Sequence, residues 1–451
     1  MAEMVKYSVE PTVGQPEGFK MTELGPLPEE WEVARLKEIA KFTKRPKGLV
    51  LGKQIAFVPM ELIPDDASIK PGCRLIRPNE LKSGTYCEPG DVLVARITPC
   101  FENGKQAIVP DDHRVVWFTS TEVFPLKANP QFIERNFLFY YLRLPDVRQE
   151  IAAKMEGTTG RQRIPKQVFA NHLVPLPPLY EQRAIAHVLR TVQRAKEATE
   201  RVIQATRELK KSLMRYLFTY GPVSVEEAES VPLKETEIGL VPEHWDVVKL
   251  GDVAKTASGG TPSRKNPEYF GGKIHWVKSG ELNDSLVSCT EETLTEMGII
   301  NSNARVFPKG TLLIAMYGAT AGKVGILECE AASNQAVCAV FPQKILSSNF
   351  LFYVFMYRRS KLFSERYGGA QPNISQTVIK AFNIPLPPLH EQHEIVRILQ
   401  AVDKKLQAEE ARKQALEALF KALLNNLMTG KIRVKDVVLP NVGEGKGDVT
   451  H

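Results

Sequence analysis

The stretch VPLPPLYEQRAIAHVL at 174–189 returns 210 residues later as IPLPPLHEQHEIVRIL at 384–399. Nine of the sixteen positions are identical. In each copy a Pro-Leu-Pro-Pro segment precedes a helical pattern, where prolines are tolerated because the first N–H groups of a helix need no intrahelical partner. Glu181 and Glu391 follow in the first turn, where the helix dipole favours an anion. The stretch therefore predicts two hinges, each leading into a helix.

The repeat extends well beyond the hinges. TELGPLPEEWEVARLKEIAK at 22–41 matches TEIGLVPEHWDVVKLGDVAK at 236–255 in ten of twenty positions, and NFLFY occurs at 136–140 and again at 349–353. A period near 210 is too long for a solenoid and indicates two copies of a whole domain. An old duplication without present symmetry is the alternative, which the sequence leaves open.

Each copy begins with Pro-Glu-X-Trp, and Trp31 and Trp245 are expected in the core. Short strand patterns separated by turn residues follow, with a helical pattern near the end of the copy. These features predict two tandem, β-rich α+β domains.

Each copy is followed by a long helical pattern. Apolar or small residues recur every three or four positions from Ile185 through Val202 and Leu209 to Tyr216. The second pattern has two apolar ends around a polar waist at 408–414. Such stripes predict coiled-coil partners. We expect the two helices to pair as an antiparallel coiled coil with pseudo-two-fold symmetry.

The repeat divides the chain into seven predicted segments. They are an N-terminal leader at 1–21, domain 1 at 22–178, long helix 1 at 179–218, a linker at 219–235, domain 2 at 236–388, long helix 2 at 389–428 and a C-terminal tail at 429–451.

Composition narrows the class of protein. The net charge of +7 is a mild indication of a polyanionic partner. There is no run of eighteen apolar residues, which argues against a membrane-spanning helix, and the N-terminus has no apolar signal segment. The six cysteines form no CxxC pair. We therefore expect a cytoplasmic protein with reduced thiols.

A search for catalytic and metal-binding motifs gives none that fits. GATAGKV at 318–324 resembles a phosphate-binding loop, but its glycines have the wrong spacing and Val324 replaces the required Ser or Thr. There is no HExxH, GxSxG or strand-linked GxGxxG, and the eight histidines are scattered. We expect no metal site and no catalytic residue in this chain.

The duplicated PExW and PLPPLxEQ motifs, with dissimilar interiors between them, resemble the specificity (S) subunit of type I restriction-modification systems. The resemblance spans about 22–430. SGGTPSR at 258–264, KSGEL at 278–282 and GGAQPNIS at 368–375 also look like that family's target-recognition domain, whereas copy one has KFTKRPKG and GTTGRQRI at the matching places.

The resemblance implies a function and a set of partners. Each half reads one part of a bipartite site in double-stranded DNA. The long helices set the separation of the halves and dock two methyltransferase (M) subunits, through which restriction (R) subunits join. It also implies a non-catalytic chain without bound cofactor, with S-adenosylmethionine, ATP and Mg²⁺ on the partner subunits. The assembled complex would be an adenine-specific DNA methyltransferase and an ATP-dependent endonuclease.

Base readout needs donors and acceptors on loops that reach base edges. Four pairs of loops offer them, at 43–47 with 258–265, 77–80 with 278–281, 98–105 with 317–323, and 159–163 with 369–373. The candidate DNA-binding residues in copy one are Lys44, Arg45, Arg77, Asn79, Arg96, Asn103, Lys105, Arg161, Gln162 and Arg163. Those in copy two are Ser258, Thr261, Ser263, Arg264, Lys278, Ser279, Tyr317, Thr320, Lys323, Gln371 and Asn373. The alternative for each loop is a solvated turn.

Other readings of the whole chain remain. One is a free-standing bipartite DNA-binding or architectural protein without enzyme partners, and another is a fused enzyme, against which the missing motifs argue. Helix 179–218 carries nine Lys and Arg against four Asp and Glu. That surplus fits either DNA phosphates or a face turned to solvent or a partner.

Overall fold

The computed structural model describes residues 18–158, 160–364 and 373–434. Most of the predicted leader (1–17), the end of the predicted tail (435–451) and Gln371 lie outside these residues. The chain forms two compact units. Unit 1 combines the residues up to Arg201 with those from Ala411 onward, and unit 2 is Val202–Glu410.

Unit 1 begins with short strands and ends in a long helix. Its strands are β1 (Phe19–Thr22), β2 (Gly25–Pro28), β3 (Glu32–Arg35), β4 (Ala40–Phe42), β5 (Ile55–Val58), β6 (Arg74–Ile76), β7 (Thr85–Cys87), β8 (Val92–Ala95), β9 (Gln106–Ile108), β10 (Val116–Thr119), β11 (Val123–Ala128) and β12 (Leu173–Leu176). Its helices are α1 (Leu36–Ile39), α2 (Arg135–Tyr141), α3 (Pro145–Ala152), α4 (Lys166–Ala170) and α5 (Leu179–Tyr220), whose residues from Val202 onward belong to unit 2.

Unit 2 has a similar order of elements. Its strands are β13 (Leu233–Thr236), β14 (Gly239–Pro242), β15 (Asp246–Lys249), β16 (Ala254–Ser258), β17 (Phe270–Val277), β18 (Ser285–Val287), β19 (Thr293–Leu294), β20 (Val306–Phe307), β21 (Leu312–Ala315), β22 (Val324–Leu327), β23 (Ala331–Ser333), β24 (Val337–Pro342) and β25 (Asn383–Leu386). Its helices are α6 (Leu250–Val253), α7 (Glu296–Ile300), α8 (Ser348–Ser364), α9 (Gln376–Ala381) and α10 (Leu389–Met428), whose last residues return to unit 1.

The sheets repeat from one unit to the other. The order β4-β11-β8-β9 in unit 1 corresponds to β16-β24-β21-β22 in unit 2, where β18 adds a fifth strand. The parallel pair β5 and β10 corresponds to β17 and β23. The central strands β8 and β21 are buried at every position, because alternate side chains of each strand enter different apolar cores on the two faces of the sheet. The structure thus confirms the predicted tandem α+β domains.

The long helices pack against each other in both units. Ile185 and Leu189 near the start of α5 share the core of unit 1 with Leu424 and Leu427 near the end of α10. In unit 2, Leu217 near the end of α5 shares the core with Leu399 near the start of α10. Residue numbers rise along one helix as they fall along the other, which confirms the predicted antiparallel pairing.

Ion pairs join the two helices between these apolar ends. They are Lys196 with Glu417 at 3.8 Å and Lys413 with Glu200 at 2.9 Å in unit 1, and Arg207 with Glu410 at 2.7 Å and Lys210 with Asp403 at 2.5 Å in unit 2. The predicted apolar stripe of α5 is wrong in this stretch. Val202 and Leu209 are 40% and 56% exposed, while Ile203 is buried. Only the ends of the helix are covered by a domain core as well as by the other helix.

Candidate DNA interface

Both hinges are held by the residues that the sequence repeats. In unit 1 the indole Nε1 of Trp31 donates to Oε2 of Glu181 at 3.1 Å. In unit 2 Nε1 of Trp245 donates to Oε2 of Glu391 at 2.8 Å. The two repeated motifs, PExW and PLPPLxEQ, therefore meet in space. In each unit the glutamate therefore joins the two motifs by accepting a hydrogen bond from the tryptophan, which is a role beyond its interaction with the helix dipole.

The glutamine after each of these glutamates ties the hinge to the domain. The amide of Gln182 donates to the carbonyls of Pro177 and Phe132 and accepts from the N–H of Glu134. Gln392 makes the same three kinds of bond, to Pro387, Ile345 and Ser347. Because these buried amides satisfy main-chain groups, a hinge of this kind fixes the start of each long helix on its own domain.

The second partner of the buried glutamate differs between the units. Arg433 donates to both carboxylate oxygens of Glu181, at 2.6 and 2.7 Å, and also to Glu30. The hydrogen bonds to Glu181 and, to a smaller extent, the one to Glu30 raise the pKa of the Arg433 guanidinium. In unit 2 the ring of His244 bonds Oε1 of Glu391 at 2.7 Å. Part of the predicted C-terminal tail thus packs on the first domain.

The loops before the hinges lie beside the ends of the central strands. In unit 1 the N–H of Ile164 donates to the carbonyl of Arg96, whose own N–H donates to the carbonyl of Glu122. In unit 2 the N–H of Ile374 donates to Met316, whose N–H donates to Ala336. We call this corner the strand-end edge. The structure places loops 98–105 and 160–163 together there, and 317–323 beside Asn373.

The unit 1 edge carries a group of charged side chains. Arg163 donates to Glu122 through Nε at 3.0 and 3.1 Å and through Nη2 at 2.7 Å. Arg96 lies 3.8 Å from the same carboxylate and stacks on the ring of Phe124, 5.0 Å from its centroid. The hydrogen bond from Arg163 lowers the pKa of Glu122. The carboxylate is therefore ionised at neutral pH. It holds Arg163 by hydrogen bonds and lies beside Arg96, whose Nε has no hydrogen-bond partner among the described residues.

The matching side chains in unit 2 are uncharged. The main-chain hydrogen bonds of the two edges correspond one to one. By this correspondence Met316 occupies the position of Arg96, Ala336 that of Glu122 and Asn373 that of Arg163. Met316 and Ala336 have no group that could hold an arginine, and Asn373 is exposed. The main-chain scaffold of the edge is repeated, but its chemistry is not.

The charged residues of unit 2 gather on other loops. Arg264 donates to both oxygens of Glu292, at 2.6 and 3.0 Å, and Lys278 bonds Glu292 and Glu291. The bonds from Arg264 and Lys278 lower the pKa of Glu292 to about 2. Beside Lys278, the carbonyl of Ser279 accepts from the hydroxyl of Thr320. Loops 258–265, 278–281 and 317–323 therefore form one continuous surface.

Several predicted DNA-binding residues already have structural partners. The ammonium of Lys105 donates to the carbonyls of Met60 and Ile63, and that of Lys323 to Asn283. The hydroxyl of Thr261 donates to Gln335. For these three, DNA contact stays a prediction, and it would have to compete with bonds inside the unit.

The remaining predicted residues lie at or near the surface. The guanidinium of Arg45 lies 5.7 Å from the ring centroid of Phe118 on β10. Arg77 begins a short turn in which its N–H bonds Glu80. The exposed ones are Lys44, Arg45, Arg77, Asn79, Asn103, Arg161, Ser263 and Tyr317, and Gln162 and Ser258 are half-buried. Their contact with DNA also stays a prediction.

Sequence reasoning missed the carboxylates at these surfaces. Glu122 and Glu292 orient the arginines, and Asp284 bonds Arg359 and the N–H of Val324 beside the third loop pair. The search considered residues that could donate to DNA, so it passed over acids. A signal in the sequence could have found Glu122. It is an acid at a position where the second copy has the apolar Ala336.

The described residues contain neither a metal-binding cluster nor a membrane span. Among residues 18–158, 160–364 and 373–434, no group of three or more His, Cys, Asp or Glu side chains is placed to hold a metal ion. Within the same ranges, no helix is both long and apolar enough to cross a bilayer. All six cysteines lie in these ranges with free thiols.

Comparison with known proteins gives matches over most of the chain. A family model described as the type I restriction modification DNA specificity domain matches residues 28–207 and again 242–418. The type I restriction enzyme MjaVIII specificity subunit of Methanocaldococcus jannaschii is 27% identical over 442 residues, covering 93% of this chain and 97% of that protein. The EcoR124I/EcoR124II specificity subunit of Escherichia coli is 25% identical, covering 55% of this chain and 59% of that protein.

Solved structures show the same fold. A chain from a study of complex assembly and conformational transition of the type I R-M system superposes with a TM-score of 0.56 at 22% identity, covering 90% of this chain and 99% of that one. The type I restriction-modification S subunit from M. genitalium gives a TM-score of 0.56 at 16% identity, covering 88% and 96%.

Proposed function

Because the chain belongs to the family of type I restriction-modification DNA specificity domains, we propose that it is the specificity subunit that directs a methyltransferase to a bipartite site in double-stranded DNA. Each unit reads one half-site. The chain itself performs no chemistry and binds no cofactor. S-adenosylmethionine, ATP and Mg²⁺ act on methyltransferase (M) and restriction (R) subunits that assemble on it.

The observation that carries this proposal is the contrast inside the repeat. Both units keep the same hinge bonds and the same main-chain bonds at the strand-end edge. At that edge the side chains differ in kind, with two arginines and a glutamate in unit 1 against Met316, Ala336 and Asn373 in unit 2. One scaffold with two different polar surfaces fits a protein that reads two different sequences, because side chains at base edges supply specificity.

The paired helices support the docking of partner subunits. Their middle stretch is held by ion pairs, and Val202 and Leu209 of α5 are exposed there. We propose that M subunits bind along the helices, and that R subunits join through them.

The test is reconstitution of methyl transfer to DNA. The full chain is purified alone, an M subunit encoded beside it is purified alone, and the two are combined with labelled S-adenosylmethionine and genomic DNA. Transfer is expected only in the combination, at adenines within one bipartite sequence. Transfer by the chain alone would overturn the non-catalytic assignment, and transfer by the M subunit alone with the same sequence pattern would overturn the specificity role.

The alternative is a free-standing bipartite DNA-binding protein. The two predict different outcomes when the chain is isolated from its own cells. A specificity subunit co-purifies with a methyltransferase, whereas a free-standing protein binds the same bipartite DNA without one.

A further inference from the structure

The Arg163–Glu122 pair at the unit 1 edge leaves a defined part of the guanidinium available. An arginine has five N–H groups in a planar fork. Glu122 takes the Nε side, through Nε and one N–H of Nη2. Nη1 makes one long contact, 3.5 Å, to the carbonyl of Arg161. Since Nη1 and Nη2 each carry two N–H groups, each keeps one that these bonds do not use.

The main chain around Arg163 is also fixed. Its N–H and carbonyl exchange bonds with Glu156 at 2.8 and 2.9 Å, and on the other side it forms a bridge with Ile97. The neighbouring carbonyl of Gln162 accepts from Thr98 at 3.0 Å. The side chain is nevertheless 42% exposed. Backbone and guanidinium are therefore held in place before any ligand arrives, which lowers the entropy lost on binding.

Arg264 of unit 2 shows the opposite arrangement. Its Nη1 and Nη2 both bond Glu292, so the end of the fork is occupied. The guanidinium also stacks on Phe270 and Trp276, 4.6 and 5.4 Å from their ring centroids. Both arginines pair with a glutamate, but Arg163 is held from the side and Arg264 from the end.

The free end of an arginine fork matches O6 and N7 of guanine in the major groove. We propose that Glu122 is a positioning residue that holds Arg163 as a guanine reader, so that the half-site of unit 1 contains one guanine whose recognition needs both residues. Arg264 is a structural residue of unit 2 and reads no base. This inference rests on the proposed function and adds to it one base, one reading residue and one positioning residue.

The experiment is a selection of binding sites by the full chain. The probe is a pool of DNA duplexes randomised over a continuous stretch and selected at one fixed salt concentration, with each protein's melting temperature recorded. Wild type is expected to select two separated half-sites, one of which contains a guanine. Arg163→Ala should lose that guanine alone, by about tenfold, which lies in the lower part of the range for a bidentate arginine–guanine contact.

Glu122→Gln separates positioning from a merely structural role. It keeps the size of the side chain and removes its charge, so Arg163 remains present but less constrained. The guanine preference should fall while the other half-site is unchanged. In the Arg163→Ala background, Glu122→Gln should have no further effect on base preference, because coupled residues are not additive. Arg264→Lys tests the other half of the inference and is expected to change no base preference. The matched control is Arg114→Lys, at an exposed arginine that pairs with Asp112 outside the four loop pairs.

The outcomes distinguish this inference from the proposed function. If wild type selects no pair of half-sites, the proposed function fails. If wild type selects two half-sites and Glu122→Gln weakens or strengthens all sequences equally, Glu122 acts on phosphates and the positioning role is overturned. Additive effects of the two changes, or loss of a base with Arg264→Lys, would also overturn it.

Discussion

The hinge and the strand-end edge both occur in each unit, but the hinge repeats its side chains whereas the edge repeats only its main-chain hydrogen bonds. The hinges keep their side chains, because Trp31 with the buried Glu181 and Trp245 with the half-buried Glu391 depend on each other for hydrogen bonds. The edges keep only their main-chain bonds, and their side chains differ. Buried polar pairs constrain residue identity, whereas main-chain bonds constrain shape and leave the exposed side chains free to change.

The largest expected effect comes from breaking a hinge. Glu181 is fully buried and Arg433 is 20% exposed, so Glu181→Ala leaves an unpaired indole N–H and a poorly solvated cation whose remaining carboxylate partner is the half-exposed Glu30. Loss of one partner of a buried ion pair costs about 3–5 kcal/mol. We expect a loss of that order in the free energy of unfolding of unit 1, measured by urea denaturation.

Glu391→Ala is the control for this prediction. The Glu391 side chain is 14% exposed and its partner His244 is 54% exposed, so in Glu391→Ala the His244 ring stays in contact with water. The indole N–H of Trp245 is the group that loses its acceptor. The loss should be about 1–3 kcal/mol, as for an unsatisfied hydrogen-bonding group. Equal losses in the two variants would show that the ion pair with Arg433 contributes nothing beyond the bond to Trp31.

A buried position at which the two copies differ sharpens the comparison. Asp91 and Thr311 stand in the same turn before the central strands, in GDVLVAR and GTLLIAM. Asp91 is fully buried, and one of its carboxylate oxygens accepts from the N–H of Glu88 at 2.8 Å. Its other oxygen has no partner among the described residues. Burial raises the pKa of Asp91 to about 6.

The sign of the pH dependence follows from that shift. Folding favours the protonated acid, so ionised Asp91 destabilises the fold fully above pH 6 and not at all below its unfolded pKa near 3.8. Asp91→Thr, the residue of the second copy, should remove this dependence. The difference in unfolding free energy between variant and wild type should change by at most about 3 kcal/mol between pH 4 and pH 7, in favour of the variant at pH 7.

Urea denaturation of both proteins across this range measures it. A constant difference between them would show that folding does not raise the pKa of Asp91. Thr311→Val supplies a comparison without an ionisable group, for which no change between these pH values is expected.

The repeat predicted most of the fold and part of the site. Hinge, helix pairing and tandem domains follow from identical motifs, because such motifs record contacts that both copies need. The apolar stripe of α5 misled at Val202 and Leu209, since a heptad pattern does not show where a domain covers the helix. Glu122 and Glu292 are acids, which the requirement for donors to DNA passes over, and the sequence does not link them to partners as distant as Arg163, 41 residues away, and Arg264, 28 residues away. Loop candidates such as Arg163 could be listed from the sequence, but which edge of the guanidinium is free depends on those partners.

The smallest expected effect is a gain rather than a loss. If the edges share a scaffold, the chemistry of one can be moved to the other. Ala336→Glu with Asn373→Arg places a glutamate and an arginine at the positions of Glu122 and Arg163, beside the same main-chain bonds. The double variant should acquire a guanine preference in the half-site of unit 2, smaller than the about tenfold preference expected in unit 1, because the surrounding side chains, among them Met316 in place of Arg96, are not adapted to the grafted pair. Asn373→Arg alone should strengthen binding to all sequences through phosphate attraction and add less base preference, since nothing orients its side chain.

Binding-site selection with the full chain compares the three proteins, with the half-site of unit 1 as the internal control. A guanine preference as strong in the single variant as in the double would show that the arginine needs no carboxylate, and the difference between the two edges would then lie in the arginine alone.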